Sequence, residues 1–80
     1  MNIQIIKHIV ESYSAEQLKQ AEDDLMNERP LQIDIEGVDE GEQLTHTLAA
    51  IFCQEVMAAE GLNINQAVRA YSQRVRGSIN

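Results

Sequence analysis

The side chains with the widest chemical repertoire gather in and just after the segment DEGEQLTH at residues 39–46. Glu42 and His46 lie four positions apart, one helical turn, which lets a carboxylate orient an imidazole or lets both touch one metal ion. The same spacing serves an ion pair or an N-terminal helix cap, and that is the simpler expectation. Cys53 falls on nearly the same helical face as His46, but seven residues of helix separate them by about 10.5 Å along the axis, too far to share an ion within one chain. A nucleophilic Cys53 would need a base within reach and a cationic setting. Its neighbours Ala49, Ala50, Phe52 and Met57 describe a small core residue instead.

Glu55 projects on a helical wheel among Leu44, Leu48, Ile51 and Ala59, in the middle of an apolar face. A charge buried there requires a partner, and the acid-free stretch beyond residue 60 supplies Arg69, Arg74 and Arg76. A buried ion pair between Glu55 and one of these arginines is therefore expected. Arg69 and Arg76 share one side of a helix and are spaced to grip a phosphate, although salt bridges within or between chains account for them more simply. His8 sits on a polar arc and has no assigned task. The sequence has no glycine-rich phosphate loop, zinc-type Cys and His spacing, or Ser-His-Asp grouping. No catalytic residue and no cofactor are assigned, and the metal candidates reduce to Glu42 and His46.

The elements that must position these residues follow from periodicity. Ile3, Ile6, Val10 and Tyr13 recur at helical spacing, with Gln4, Lys7, His8 and Glu11 on the opposite arc, so a first amphipathic helix is predicted. Ser14 stands three before Gln17, the spacing of a reciprocal cap, and Leu18, Ala21 and Leu25 give a second helix to about Asn27. Its remaining arcs carry Glu16, Glu22, Asp23 and Asp24, expected to be solvated or to form a docking face for a basic protein partner. Pro30 ends the pattern. Leu31, Ile33 and Ile35 then alternate with Gln32, Asp34 and Glu36, the period of a short strand or extended arm. No second strand is legible, so the arm's backbone donors must pair with water, with a helix flank, or with the same segment of another copy.

Asp39 and Glu42 repeat the capping spacing, and Leu44 to Glu60 is apolar on almost every side until Gly61 closes it. This third helix is the central one, and its circumference demands several neighbours. Asn63 and Gln66 form another capping pair, opening a fourth helix whose stripe is Ile64, Ala67, Val68, Tyr71 and Val75, ending near Gly77. The fold class read from this order is mostly α: a small four-helix bundle-like domain over residues 1–80, arranged as helix, helix, extended arm, long central helix, helix.

Composition narrows the function classes. The net charge of -7 opposes nucleic-acid and anionic-membrane binding, which need surplus cations. No apolar run approaches the length of a membrane span, and the start of the chain does not read as a cleavable signal. With one cysteine there is no internal disulfide, so a cytoplasmic location is expected. Without Trp and with a single Phe, any interface must be largely aliphatic.

The ends of the chain, IIKHIVE at residues 5–11 and QRVRGSIN at residues 73–80, resemble those of a family of short, uncharacterised bacterial proteins. The resemblance spans the whole length and departs most around the arm. It implies a bacterial, cytoplasmic, single-domain protein and carries over no active-site residue. Together these features favour a binding or self-association role over catalysis. A homodimer is expected to cover the surplus apolar surface of the third helix, with Leu31, Ile33, Ile35, Phe52 and Met57 as interface candidates. The alternative is a metal-binding or metal-dependent enzyme that uses Glu42 and His46 at a dimer interface.

Overall fold

In the computed structural model, which describes residues 2–77, the chain forms α1 (Ile3–Ser12), α2 (Ala15–Met26), α3 (Glu40–Glu60) and α4 (Ile64–Gly77). There is no strand among the described residues. The expected small helical bundle is the observed one, and its four helix starts are set by side-chain caps. Asn2 Oδ1 accepts from the Gln4 and Ile5 amides, and Ser14 and Gln17 form a complete capping box. Asp39 Oδ1 accepts from the Glu42 amide at 2.8 Å, and Asn63 and Gln66 cap each other reciprocally. Each cap satisfies amide donors that the first turn leaves without a carbonyl. Gly61 ends α3 at φ 67°, a left-handed turn in which a side chain would be strained.

α3 is the hub: α1, α2 and α4 each pack on it, and α1 also touches α4. The core combines Ile6, Ile9 and Val10 of α1, Leu18 and Ala21 of α2, Ile35 of the arm, and Ala67 and Val68 of α4 with Ala49, Ala50 and Cys53 of α3. Small side chains on the hub bring three helices close to one axis.

Residues 31–36, read as a short strand or extended arm, form an irregular segment bent at Gln32 and Ile33 that keeps the period-two burial. Leu31 and Ile33 are partly buried and Ile35 is fully buried, while Gln32, Asp34 and Glu36 are exposed. These three apolar residues, expected at an interface with a second copy, pack against this chain's own core. Their burial within one chain follows from the arm crossing the bundle with its apolar side inward. Gly37 lets it come close: a Cβ there would lie 2.8 Å from the Gln43 backbone nitrogen.

One α2 expectation is corrected. Asp24, assigned to the solvated arc, is 2% exposed. It lies three residues past Ala21, on the flank of the buried stripe. Beyond Asn27, Glu28 adopts φ 57° and turns the chain back, so that the Arg29 amide bonds the Asp24 carbonyl at 2.8 Å. The returning chain buries the aspartate.

Candidate functional site

The two sides of α3 differ sharply in chemistry. Its buried side holds His46, Thr47, Ala49, Ala50 and Cys53. Opposite them, at 100° per residue, Leu44, Leu48, Ile51, Glu55 and Ala59 form the other arc. Leu44 and Ile51 are partly buried, Leu48 is 41% exposed, and Glu55 and Ala59 are exposed. The arc that reads as the main apolar face is therefore the outer one: Leu48 stands 41% exposed and Ile51 packs on the edge of the core.

The inner side is selected by polar anchoring. His46 is 0% exposed and joins two distant segments. Its Nδ1 lies 2.8 Å from the Glu36 carbonyl and its Nε2 lies 3.1 Å from the Asn2 amide nitrogen. A carbonyl can only accept and an amide can only donate, so the ring carries its proton on Nδ1 and offers its Nε2 lone pair to Asn2. Gln43 Nε2 donates to the Ile35 carbonyl at 2.8 Å, and Thr47 Oγ1 donates to the Gln43 carbonyl. Gln54 Nε2 donates to the Tyr13 carbonyl at 2.8 Å, and Tyr13 Oη donates to the Asp34 carbonyl at 3.1 Å. Side chains of α3 and Tyr13 thus hold three successive arm carbonyls, those of Asp34, Ile35 and Glu36. Neither Gln43 nor Gln54 stands out in the sequence, because an amide at a helical position carries no periodic signature of its partner.

This geometry settles where the metal candidates sit. Glu42 Oε1 accepts from the Val38 amide at 3.2 Å and its own amide is capped by Asp39, so it stabilises the start of α3. His46 has no ring nitrogen lone pair left for a metal while both its hydrogen bonds stand. Among the described residues no group of three or more His, Cys, Asp or Glu side chains is placed to hold an ion. Cys53 is buried, and that burial pushes its thiol above the ordinary range, the opposite of an activated nucleophile.

The arginines of α4 are also placed. Glu55, Arg69, Arg74 and Arg76 are all exposed, so burial of a Glu55–arginine pair is not a feature of one chain. The reason is the orientation of α3, which carries Glu55 outward. Arg74 lies over the Phe52 ring at 5.3 Å, and Phe52 meets Tyr71 at 5.5 Å between centroids. Phe52 and Met57, both interface candidates, are partly buried against α4 and the core.

Between α2 and the arm, Asp24 forms a second polar centre. Its Oδ1 accepts from Gln20 Nε2 at 3.0 Å and from Arg29 Nε at 3.2 Å, and Arg29 also pairs with Asp23. The hydrogen bond that Arg29 donates to Asp24, then the charge of Asp23, raise the exposed Arg29 guanidinium above its ordinary range. The other carboxylate oxygen, Oδ2, is buried with no partner. Asp24 lines a cleft of about 400 Å³ between α2 and the arm, together with Glu16, Gln17, Gln20, Ala21, Gln32 and Ile33.

Fold and sites together define a small all-helical protein organised on one hub helix, and no helix among the described residues is long and apolar enough to cross a membrane. The chain belongs to a family of unknown function (DUF6952), whose model matches residues 1–80. That match agrees with the resemblance carried by IIKHIVE and QRVRGSIN, although the last three residues of the second motif lie outside the described ones. No curated protein and no solved structure matches the chain.

Proposed function

We propose that this chain is a single-domain, non-catalytic self-association module in which the outer arc of α3 packs against the same arc of a second copy. One observation carries this reading: Leu48, in the middle of the hub helix, is 41% exposed, with Leu44 and Ile51 only partly covered beside it. The residues 44, 48, 51, 55 and 58 follow alternating steps of four and three, the seam pattern of two helices packed side by side. Solvent-exposed aliphatic rows of this kind are a feature of interaction surfaces.

Charge supports a second copy as the occupant. α3 carries Glu55 on the seam and no lysine or arginine, whereas α4 carries Arg69, Arg74 and Arg76 and no acid. A two-fold arrangement brings the acid of one copy towards the α4 arginines of the other, so the Glu55–arginine pair expected from the sequence forms between chains. The unpaired, buried Cys53 suits a reducing cytoplasmic setting. Metal ligation or base chemistry at His46, the competing reading, would require its Nε2 to give up the Asn2 amide that fixes the start of α1.

Sedimentation equilibrium across a concentration series tests the proposal. A concentration-dependent dimer is expected, converted to monomer by Leu48→Glu with an unchanged far-ultraviolet spectrum. A wild-type chain that stays monomeric up to high micromolar concentration ends it. Metal analysis of the purified protein tests the competing reading, which requires bound metal that His46→Gln removes.

A further inference from the structure

We infer that Arg74 is the specificity-determining residue of the α3 association surface: lying over Phe52, it receives Glu55 of a second copy whose hub helix runs antiparallel to its own. The inference rests on the self-association reading above and adds the orientation of the partner and the contact that selects it. At 100° per residue, Phe52 follows Leu48 and Ala59 at the edge of the outer arc of α3. The exposed Arg74 guanidinium lies over that ring, 5.3 Å from its centroid, and so stands at the rim of the aliphatic row. Arg69 and Arg76 fall on the side of α4 away from Tyr71, the residue that meets Phe52. Of the three α4 arginines, Arg74 alone borders the arc.

The fold also fixes where Arg74 stands along the hub. α3 ends at Glu60 and α4 begins at Ile64, and the Phe52–Tyr71 contact lies nearly as far from that turn on one helix as on the other. The two helices therefore run antiparallel with residues 52 and 71 side by side, and Arg74, three residues further along α4, is level with about Ala49. The outer row spans residues 44 to 58 and is centred on Ile51. A two-fold axis there, perpendicular to the helices, sets residue 55 of one copy opposite residue 47 of the other, within about 3 Å of the level of Arg74. Parallel packing in register leaves Glu55 about 9 Å from that level and sets it beside the same carboxylate of the other copy, and α3 has no lysine or arginine to separate the two. Antiparallel packing instead holds the two Glu55 about 12 Å apart along the axis. It also carries the acidic first turns, with Glu40 and Glu42, to opposite ends and sets the helix dipoles head to tail. A guanidinium lying over an aromatic face can present its planar N–H fork to a carboxylate, so the ring orients the contact.

Charge reversal read by sedimentation equilibrium tests the pairing, which a symmetric dimer contains twice. Glu55→Arg and Arg74→Glu should each weaken the dimer at least about tenfold, with unchanged far-ultraviolet spectra. Their equimolar mixture should form a heterodimer about as tight as the wild-type dimer, because every like-charged pair becomes an opposite one. Lys19→Glu, at an exposed position of α2, makes the same change in net charge as Arg74→Glu and should shift the dimer constant by less than about twofold. Orientation is read separately, on a chain that keeps both native charges, by pulsed electron resonance of a nitroxide on Ala59→Cys in a Cys53→Ala background. Antiparallel packing about Ile51 puts the two labelled positions about 24 Å apart along the helix axis, whereas parallel packing puts them side by side, at about the 10 Å of neighbouring helices. Should a reversal variant fail to fold, the label distance decides. A wild-type chain that stays monomeric ends the self-association reading and this inference with it. A dimer that tolerates either reversal, a mixture that fails to associate, equal weakening by Lys19→Glu, or a side-by-side label distance overturns this inference alone.

Discussion

The inner and outer arcs of α3 belong to one helix and one stretch of sequence, yet they solve opposite problems. The inner arc is poor in volume and rich in hydrogen bonds: Ala49, Ala50 and Cys53 let neighbouring helices approach, while His46 and Thr47 engage backbone carbonyls and an amide. The outer arc has the volume, in Leu44, Leu48 and Ile51, but only partial cover within the chain, with Leu48 left 41% exposed. Burial at the hub is therefore specified by shape and polar matching more than by apolar area. Specificity of this kind fixes one arrangement, because a half-matched polar group inside a protein is costly.

The strongest way to break this comparison is to remove the inner anchor. His46→Ala leaves the Asn2 amide and the Glu36 carbonyl without partners and opens a cavity, so a loss of roughly 3–5 kcal/mol in chemical denaturation is expected. A loss below about 1 kcal/mol would show that the polar contacts do not select the inner face. Next in size, Ala50→Leu forces volume between α3 and its neighbours, with an expected cost of about 1–3 kcal/mol in the same measurement. The outer arc should respond differently. Leu48→Glu, measured at a concentration where the wild type is monomeric, should change stability by no more than about 0.5 kcal/mol while abolishing association.

The smallest effect concerns the thiol. Because burial raises the Cys53 pKa in the folded chain, the unfolded chain loses its proton first as pH rises through the ordinary thiol range. Stability should then fall with increasing pH in that alkaline window and be unaffected below it, and the difference should vanish in Cys53→Ala. Alkylation of the native thiol at neutral pH should be slow until denaturant is added.

Much of the architecture is legible in the sequence because caps and periods are local. Ser14 with Gln17, Asp39 with Glu42, and Asn63 with Gln66 locate three helix starts, and the alternation from Leu31 to Ile35 identifies which side of the arm turns inward. Which arc of α3 faces the core is not legible. Both arcs are apolar enough to be buried, so periodicity cannot choose, and the choice falls to Gln43, His46 and Gln54, whose partners lie 8, 10 and up to 44 residues away in the chain. Asp24 escapes for the same reason: its burial depends on the turn at Glu28 and on Arg29 folding back over it, neither of which the apolar pattern of α2 encodes.

The ring of His46 has one more consequence. The first turns of helices ordinarily fray and exchange their amide hydrogens quickly. Here the residue that caps α1, Asn2, donates to a fully buried imidazole whose other nitrogen holds the connection at Glu36, so loosening either segment strips the support from the other. The Asn2 amide should therefore exchange with the slow kinetics of the bundle interior, and peeling away the first turn and releasing the loop before α3 become a single cooperative event.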